Sequence, residues 1–147
     1  MKNKLRAVID TNVVVSAVLL PRSISRQAFD FIILQGQLLV SEETLAELDE
    51  VLSRPKFNKY VLERKRLEFF AAFVRTAEII QVTQVITECR DEKDNKFLEL
   101  AISGGASHII SGDNDLLVLN PFRSVVIIPP STFLRTYIKL PDRLSAR

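Results

Sequence analysis

The sequence predicts an α/β sandwich, in which helices cover the faces of a largely parallel β-sheet. Short apolar runs of strand length alternate along the chain with longer segments of helical periodicity. This alternation is typical of βαβ units, in which a helix joins each parallel strand to the next. The 147 residues, 47% of them hydrophobic, suit one domain with a substantial core. Ligands of such folds gather outside the carboxyl ends of the strands, so functional residues are expected there.

In the first half of the chain, local signals predict two strands and two helices. Gly36 is a typical stop for the first helix, and Ser41 is a typical N-cap for the second. The residue pair Arg54-Pro55 ends that second helix. The expected elements are a strand over Arg6–Ile9, a helix over residues 23–35, a strand over Gln37–Val40 and a helix over Glu42–Leu52.

In the second half, three further strands alternate with helical segments. Asp91 is expected to cap one helix, which Gly104 ends, and Ser131 is expected to cap the last helix. The expected elements are helices over 61–76, 92–103, 116–119 and 131–138, and strands over 78–82, 108–110 and 124–128.

Composition excludes several kinds of chemistry. Cys89 is the only cysteine, so no intrachain disulfide forms and a reducing, cytoplasmic location is expected. His108 is the only histidine and opens a strand, which counts against Ser–His–Asp or Cys–His nucleophiles and against zinc. The chain contains neither a glycine-rich phosphate-binding motif nor an apolar run of membrane-spanning length. The net charge of +2 is too small to indicate nucleic-acid binding by itself.

Four acidic residues are predicted to meet at the carboxyl edge of the sheet. Asp10 and Asp113 follow apolar strands, Asp94 lies in the first turn of a helix, and Glu47 lies one to two turns into another. Each has a simpler interpretation as well. Asp10 and Asp113 could be turn residues, and Asp94 could assist the cap at Asp91. Glu47 shares a helical stripe with other glutamates that could be a solvated face, and Asp115 could cap the helix after it.

If these carboxylates do converge, the sequence predicts a divalent metal. Clustered carboxylates raise one another's pKa values unless a cation lies among them. Oxygen ligands select hard ions, which here means Mg²⁺ or Mn²⁺. With no side-chain nucleophile at hand, metal-activated water remains, and phosphodiester hydrolysis is the reaction that fits such a site best.

A basic segment over residues 54–66 is a candidate nucleic-acid contact. Its cations could follow phosphates, and Phe57 and Tyr60 could stack on unpaired bases. An ordinary solvated surface or a dimer contact are the alternatives. Arg22 and Arg26, near the end of the first strand, are further candidates for phosphate contacts. The cations of the segment are Arg54, Lys56, Lys59, Arg64, Lys65 and Arg66, against the single acid Glu63.

Four motifs together resemble those of PIN-domain nucleases. The resemblance covers nearly the whole chain, with the motifs in the family's order and at its usual intervals. It is closest to the branch that contains VapC-type toxins of type II toxin–antitoxin systems. The motifs are Asp10-Thr11-Asn12, residues 41–48 around Glu47, residues 91–101 around Asp94 and residues 111–117 around Asp113.

The resemblance implies a three-layer α/β/α sandwich with a five-stranded parallel sheet, in a nuclease domain over residues 1–140 followed by a tail over 141–147. It implies Mg²⁺- or Mn²⁺-dependent endonucleolytic cleavage of single-stranded RNA, an antitoxin partner and a homodimer. It also assigns roles to individual residues. The implied metal ligands are Asp10, Glu47, Asp94 and Asp113, with Asp115 as an accessory acid and with Thr11, Asn12 and Ser111 as polar support.

Three rival functions remain open at the level of sequence. A non-catalytic PIN-like module would bind RNA or protein, but such a module would be expected to have lost some of the acids. A phosphatase of the haloacid-dehalogenase type would need a second aspartate two residues after Asp10, where this chain has Asn12. A nuclease of the same fold that takes structured DNA would keep the metal site and change only the substrate.

Overall fold

A computed structural model describes residues 5–137 and confirms the α/β sandwich. Five parallel strands form one sheet in the order β3-β2-β1-β4-β5. The strands are β1 Arg6–Ile9, β2 Gln37–Val40, β3 Glu78–Ile79, β4 His108–Ile110 and β5 Val126–Ile128. The expected limits of the domain at residue 140 and of the last helix at Ile138, and the tail over 141–147, lie outside the described residues.

Seven α-helices lie within the described residues, together with two short 3₁₀ helices. The α-helices are α1 Thr11–Leu19, α2 Ile24–Gln35, α3 Glu42–Leu52, α4 Glu63–Thr76, α5 Asn95–Gly104, α6 Asn114–Leu117 and α7 Pro130–Tyr137. The 3₁₀ helices are Pro55–Phe57 and Glu92–Asp94. None of the helices between residues 5 and 137 combines the length and the apolar character that crossing a membrane requires.

The core consists of two clusters of buried side chains, one on each face of the sheet. In β1, Ala7 and Ile9 pack with one cluster, to which α1, α2, α3 and α7 contribute, whereas Val8 packs with the cluster formed by α5 and α6. Because the side chains of a strand point alternately to its two faces, the sheet is covered on both sides. The strands therefore read as continuous apolar runs, which is why the sequence predicted them well.

One helix was missed. Residues of α1 include the run Val13, Val14 and Val15, and β-branched side chains lower helix propensity. Tertiary packing outweighs this preference, since these three side chains are buried in the core. The helix begins directly after β1 because Asp10 caps it, with its Oδ1 accepting a hydrogen bond from the Val13 backbone N–H at 2.9 Å.

Other boundaries differ by one to three residues. The third strand ends at Ile79, and the fifth begins at Val126 because Arg123 and Ser124 adopt positive φ angles. The expected cap at Ser131 is wrong, since α7 already starts at Pro130, where the missing N–H costs nothing. The helix expected from residue 61 begins at Glu63, and the short helix expected over 116–119 is α6. The helix expected from residue 92 begins as the 3₁₀ turn Glu92–Asp94.

Candidate metal centre

The fold brings Asp10, Glu47, Asp94 and Asp113 around one pocket. The central strands β1 and β4 are neighbours, with Ile9 paired to Ile110. Asp10 follows β1 directly, and Asp113 comes three residues after β4 as the cap of α6. Asp94 ends the 3₁₀ turn before α5, and Glu47 faces the pocket from α3. Parallel topology thus gathers acids from four separate stretches of chain at one edge of the sheet.

Asp10 is the most deeply buried of these acids, with 5% of its surface exposed. The hydroxyl of Ser111 donates to its Oδ2, and the Val13 backbone N–H donates to its Oδ1. Burial raises the pKa of Asp10 to about 6, with a smaller contribution from the charges of Asp113 and Glu47, although both hydrogen bonds oppose the rise. At this buried position the ionised form of Asp10 is therefore favoured only when a positive charge lies nearby.

Asp94 has a buried oxygen, Oδ2, with no hydrogen-bond partner among the described residues. Burial raises its pKa to about 7, and the negative charge of the nearby Asp113 carboxylate contributes further. Carboxylate oxygens of Asp91, Asp94 and Asp113 lie within 4.8 Å of one another. An unpartnered buried oxygen within such a group is what a hard cation with oxygen ligands would complete, so these residues fit Mg²⁺ or Mn²⁺.

Ser111 joins the ends of the two central strands. Its buried hydroxyl donates to Asp10 and accepts a hydrogen bond from the Asp113 backbone N–H at 2.9 Å. The resemblance implied such a supporting role for Ser111, and the geometry is that of a residue that orients the Asp10 carboxylate and fixes the backbone from which Asp113 projects. The exposed Asn12 lines the same pocket.

Glu47 differs from the aspartates in its surroundings. Its Oε1 accepts a hydrogen bond from the Thr11 hydroxyl at 2.5 Å, and its Oε2 lies 3.6 Å from the ammonium of Lys96. Glu47 is therefore already paired with groups of the chain itself. Sequence reasoning did not single out Lys96, although it lies two residues after Asp94 within the same motif.

Asp115 and Asp91 have other contacts. The Asp115 carboxylate forms an ion pair with Arg90 at 2.9 Å, so its side chain is turned to a surface arginine. Asp113, and not Asp115, caps α6, because its Oδ1 accepts from the Asp115 backbone N–H. Asp91 caps the 3₁₀ turn as expected, by accepting from the Lys93 backbone N–H, and it also lies in the carboxylate group described above.

The basic segment reaches the pocket at Arg54, which is among the residues that line it. Its exposed members are Arg54, Lys56, Lys59, Arg64 and Lys65, and Tyr60 is 58% exposed. Arg66 was one of the cations of this candidate segment, but it is not available to phosphates. Its guanidinium is fully buried and donates to the backbone carbonyls of Leu52, Arg54 and Val61 and to the Asn58 side chain.

The two remaining cation candidates and the only histidine lie elsewhere. Arg22 is exposed on the segment before α2, whereas Arg26 is engaged with Asp30 at 3.1 Å and with the Ala17 carbonyl. His108 is buried at the start of β4, with Ser107 on Nδ1 and Tyr137 on Nε2, and burial lowers its pKa. His108 therefore contacts the core and α7, away from the carboxyl edge.

Comparison with known proteins identifies the family. Residues 6–115 match the model of the PIN domain. An uncharacterized protein of Methanocaldococcus jannaschii, MJ1680, is 37% identical over 120 residues, which cover 80% of this chain and 77% of that protein. The fold is similar to that of VapBC2 from Rickettsia felis, solved bound to a DNA fragment from their promoter, with a TM-score of 0.58 at 15% identity over 84% of this chain and 97% of that one. It is also similar to PAE2754 from Pyrobaculum aerophilum, with a TM-score of 0.60 at 12% identity over 92% and 91%. The chain belongs to the PIN-domain family, whose members are generally nucleases that use divalent metals.

Proposed function

We propose that this protein is a divalent-metal-dependent endoribonuclease that cleaves single-stranded RNA. The observation that carries the proposal is the buried Oδ2 of Asp94 beside Asp113, which has no hydrogen-bond partner within residues 5–137, in a pocket that the buried Asp10 also lines. Four acids in one pocket repel one another, and neither a histidine nor a cysteine is placed among them to act as a nucleophile. Metal-assisted hydrolysis is the chemistry that this set of groups supports best.

In this proposal Asp94 and Asp113 would hold Mg²⁺ or Mn²⁺, with Asp10 beside them. When bound, the ion would lower the pKa of a water molecule and offset the negative charge that develops on the phosphodiester. Ser111 ties the Asp10 carboxylate to the backbone of Asp113 through its two hydrogen bonds. Asp115, held by Arg90, would be an accessory at the edge of the site, and Arg54 offers a cation at the pocket wall.

We propose further that the RNA strand follows the basic surface beside the pocket. Phosphates would be held by exposed cations, and the exposed ring of Tyr60 would stack on an unpaired base. Lys56 and Lys59 lie near the rings of Phe57 and Tyr60, at 5.3 and 5.4 Å from the ring centroids. The residues proposed for RNA contact are Lys56, Lys59, Arg64 and Lys65, with Arg22 and Arg26 as further candidates outside this segment.

The test compares RNA with DNA and an acid of the pocket with an acid outside it. Labelled single-stranded RNA and flap DNA are incubated with the protein in Mn²⁺ or in EDTA. Losing a residue that only orients a metal ligand typically reduces activity by roughly 10–100-fold. Asp113→Asn removes a proposed ligand itself, so RNA cleavage should fall by more than that. The matched control Asp49→Asn changes an exposed aspartate of α3 and should cleave as the wild type does. Cleavage that survives EDTA, or flap DNA cleaved in preference to RNA, would overturn the proposal.

A toxin of a toxin–antitoxin pair is the biological role proposed for this activity. The support is the four motifs of the sequence, together with the fold shared with VapBC2 of Rickettsia felis. In this role the nuclease domain over residues 1–140 acts in the cytoplasm, forms a homodimer and is inhibited by a small antitoxin. Induced expression should arrest growth for the wild type and not for Asp113→Asn. Equal growth of both strains would remove the toxin role, and sedimentation of the pure chain tests the dimer.

A further inference from the structure

Lys96 places a positive charge beside Glu47, one of the acids that line the pocket. It is the second residue of α5, and only 10% of its side chain is exposed. Its ammonium donates to the Lys93 backbone carbonyl, and its only acidic partner among the described ion pairs is Glu47, at 3.6 Å. An ammonium that is removed from water in this way is stable only with compensating negative charge, so Lys96 and Glu47 depend on each other.

The second oxygen of Glu47 is also engaged. The Thr11 hydroxyl donates to Oε1 at 2.5 Å, so both carboxylate oxygens face groups of this chain. In contrast, Asp94 keeps an oxygen that has no partner among the described residues, and the carboxylates that converge most closely are those of Asp91, Asp94 and Asp113. The pocket is therefore divided into a group of aspartates that needs a cation and a glutamate that already has one.

We propose that the Lys96 ammonium takes the place of a second metal ion beside Glu47. The pocket then binds one divalent ion, on its aspartates, instead of two. A pair of ions in a hydrolytic site lies about 3.5–4 Å apart and shares carboxylate ligands. A second ion on the Glu47 side would have to displace a tethered ammonium and the Thr11 hydroxyl. In this proposal Lys96 touches neither the metal nor the substrate, and it acts as a positioning residue that holds the Glu47 carboxylate. The inference rests on the proposed metal-dependent function and adds its stoichiometry.

The test measures Mn²⁺ binding to the full chain by titration calorimetry, without substrate. The wild type should bind one ion. Glu47→Gln should leave the Mn²⁺ affinity within about threefold of that of the wild type, since Glu47 is not a ligand. Lys96→Met, which keeps the apolar stem of the side chain, should bind two ions, and adding Glu47→Gln to it should restore one. Lys96→Arg and the exposed control Lys93→Met should each bind one ion.

Two ions bound by the wild type, or a Glu47→Gln variant that no longer binds Mn²⁺, would overturn the proposal. These two results come from proteins that keep Lys96, so the test stands even where Lys96→Met does not fold. Failure of this inference is distinct from failure of the proposed function. RNA cleavage with two bound ions would contradict only the stoichiometry, whereas one bound ion without RNA cleavage would contradict only the proposed function.

Discussion

Replacing Asp10 by asparagine should stabilise the metal-free protein while it removes the activity. Burial raises the pKa of Asp10 from 3.8 to about 6, so that its ionisation opposes folding above pH 6. A shift of about two pKa units corresponds to about 3 kcal/mol. The asparagine side chain would keep the acceptor for the Val13 N–H and weaken the contact with Ser111, so the expected gain in free energy of unfolding at pH 8 is about 1–3 kcal/mol.

The gain should depend on pH in a defined direction. Since the folded pKa is raised, folded protein binds more protons than unfolded protein between about pH 4 and pH 6, and wild-type stability falls as pH rises through that range. The difference between Asp10→Asn and wild type should therefore be small at pH 4 and complete above pH 7. For a chain of this size, 1 kcal/mol corresponds to roughly 2–4 °C in melting temperature.

The assay is thermal or urea denaturation in EDTA at pH 4 and pH 8, repeated in Mn²⁺ at pH 8. Mn²⁺ should stabilise the wild type more than Asp10→Asn, because an ion that binds only the folded state adds its binding free energy to stability. The control Asp49→Asn should match the wild type at both pH values. A loss of more than 1 kcal/mol in Asp10→Asn at pH 8 in EDTA, or the same difference at both pH values, would refute the electrostatic reasoning.

Three further substitutions test other parts of the structure. Ser111→Ala removes the hydroxyl that joins Asp10 to the Asp113 backbone, so calorimetry should show Mn²⁺ affinity weakened by roughly 10–100-fold, and unchanged affinity would contradict this role. Lys59→Ala should weaken RNA binding in filter assays and lower the slope of log affinity against log salt concentration by about one. The turnover rate of bound RNA should stay unchanged, and an unaltered slope would exclude a phosphate contact. Arg66→Met leaves three backbone carbonyls without their donor and removes a fully buried guanidinium, so urea denaturation should show a loss of about 3 kcal/mol or more, whereas the exposed control Arg64→Met should lose less than about 0.5 kcal/mol.

The sheet and the acidic edge that forms the candidate site could be predicted because their signals are local. Apolar runs with clear limits marked the strands that end at Asp10 and before Ser111, and parallel topology then required both ends to meet at one edge. The acid of the short loop after the second of these strands, Asp113, followed from the same rule. The fold class, the central strands, Asp10 and Asp113 all rest on such local signals, whereas the local pattern around Glu47 was equally consistent with a solvated helix face.

Other features depend on contacts between distant residues and have no local signal. Arg66 belongs to a run of charges that reads as a solvated surface, yet it is buried because four acceptors from residues 52–61 surround it. Lys96 reads as one more surface lysine of a helix, and only the position of α3 across the pocket shows that Glu47 pairs with it. The helix α1 was missed because valine-rich segments favour strands, and only its burial against the sheet reverses that preference.

The most direct test of the central claim is the anomalous scattering of Mn²⁺ in crystals of the wild-type protein grown at saturating Mn²⁺. We predict one peak at the carboxyl edge of the sheet, at bonding distance from carboxylate oxygens of Asp94 and Asp113. A pocket without a peak, or a peak only on acids away from this edge, would contradict the claim that these acids converge to bind a divalent cation.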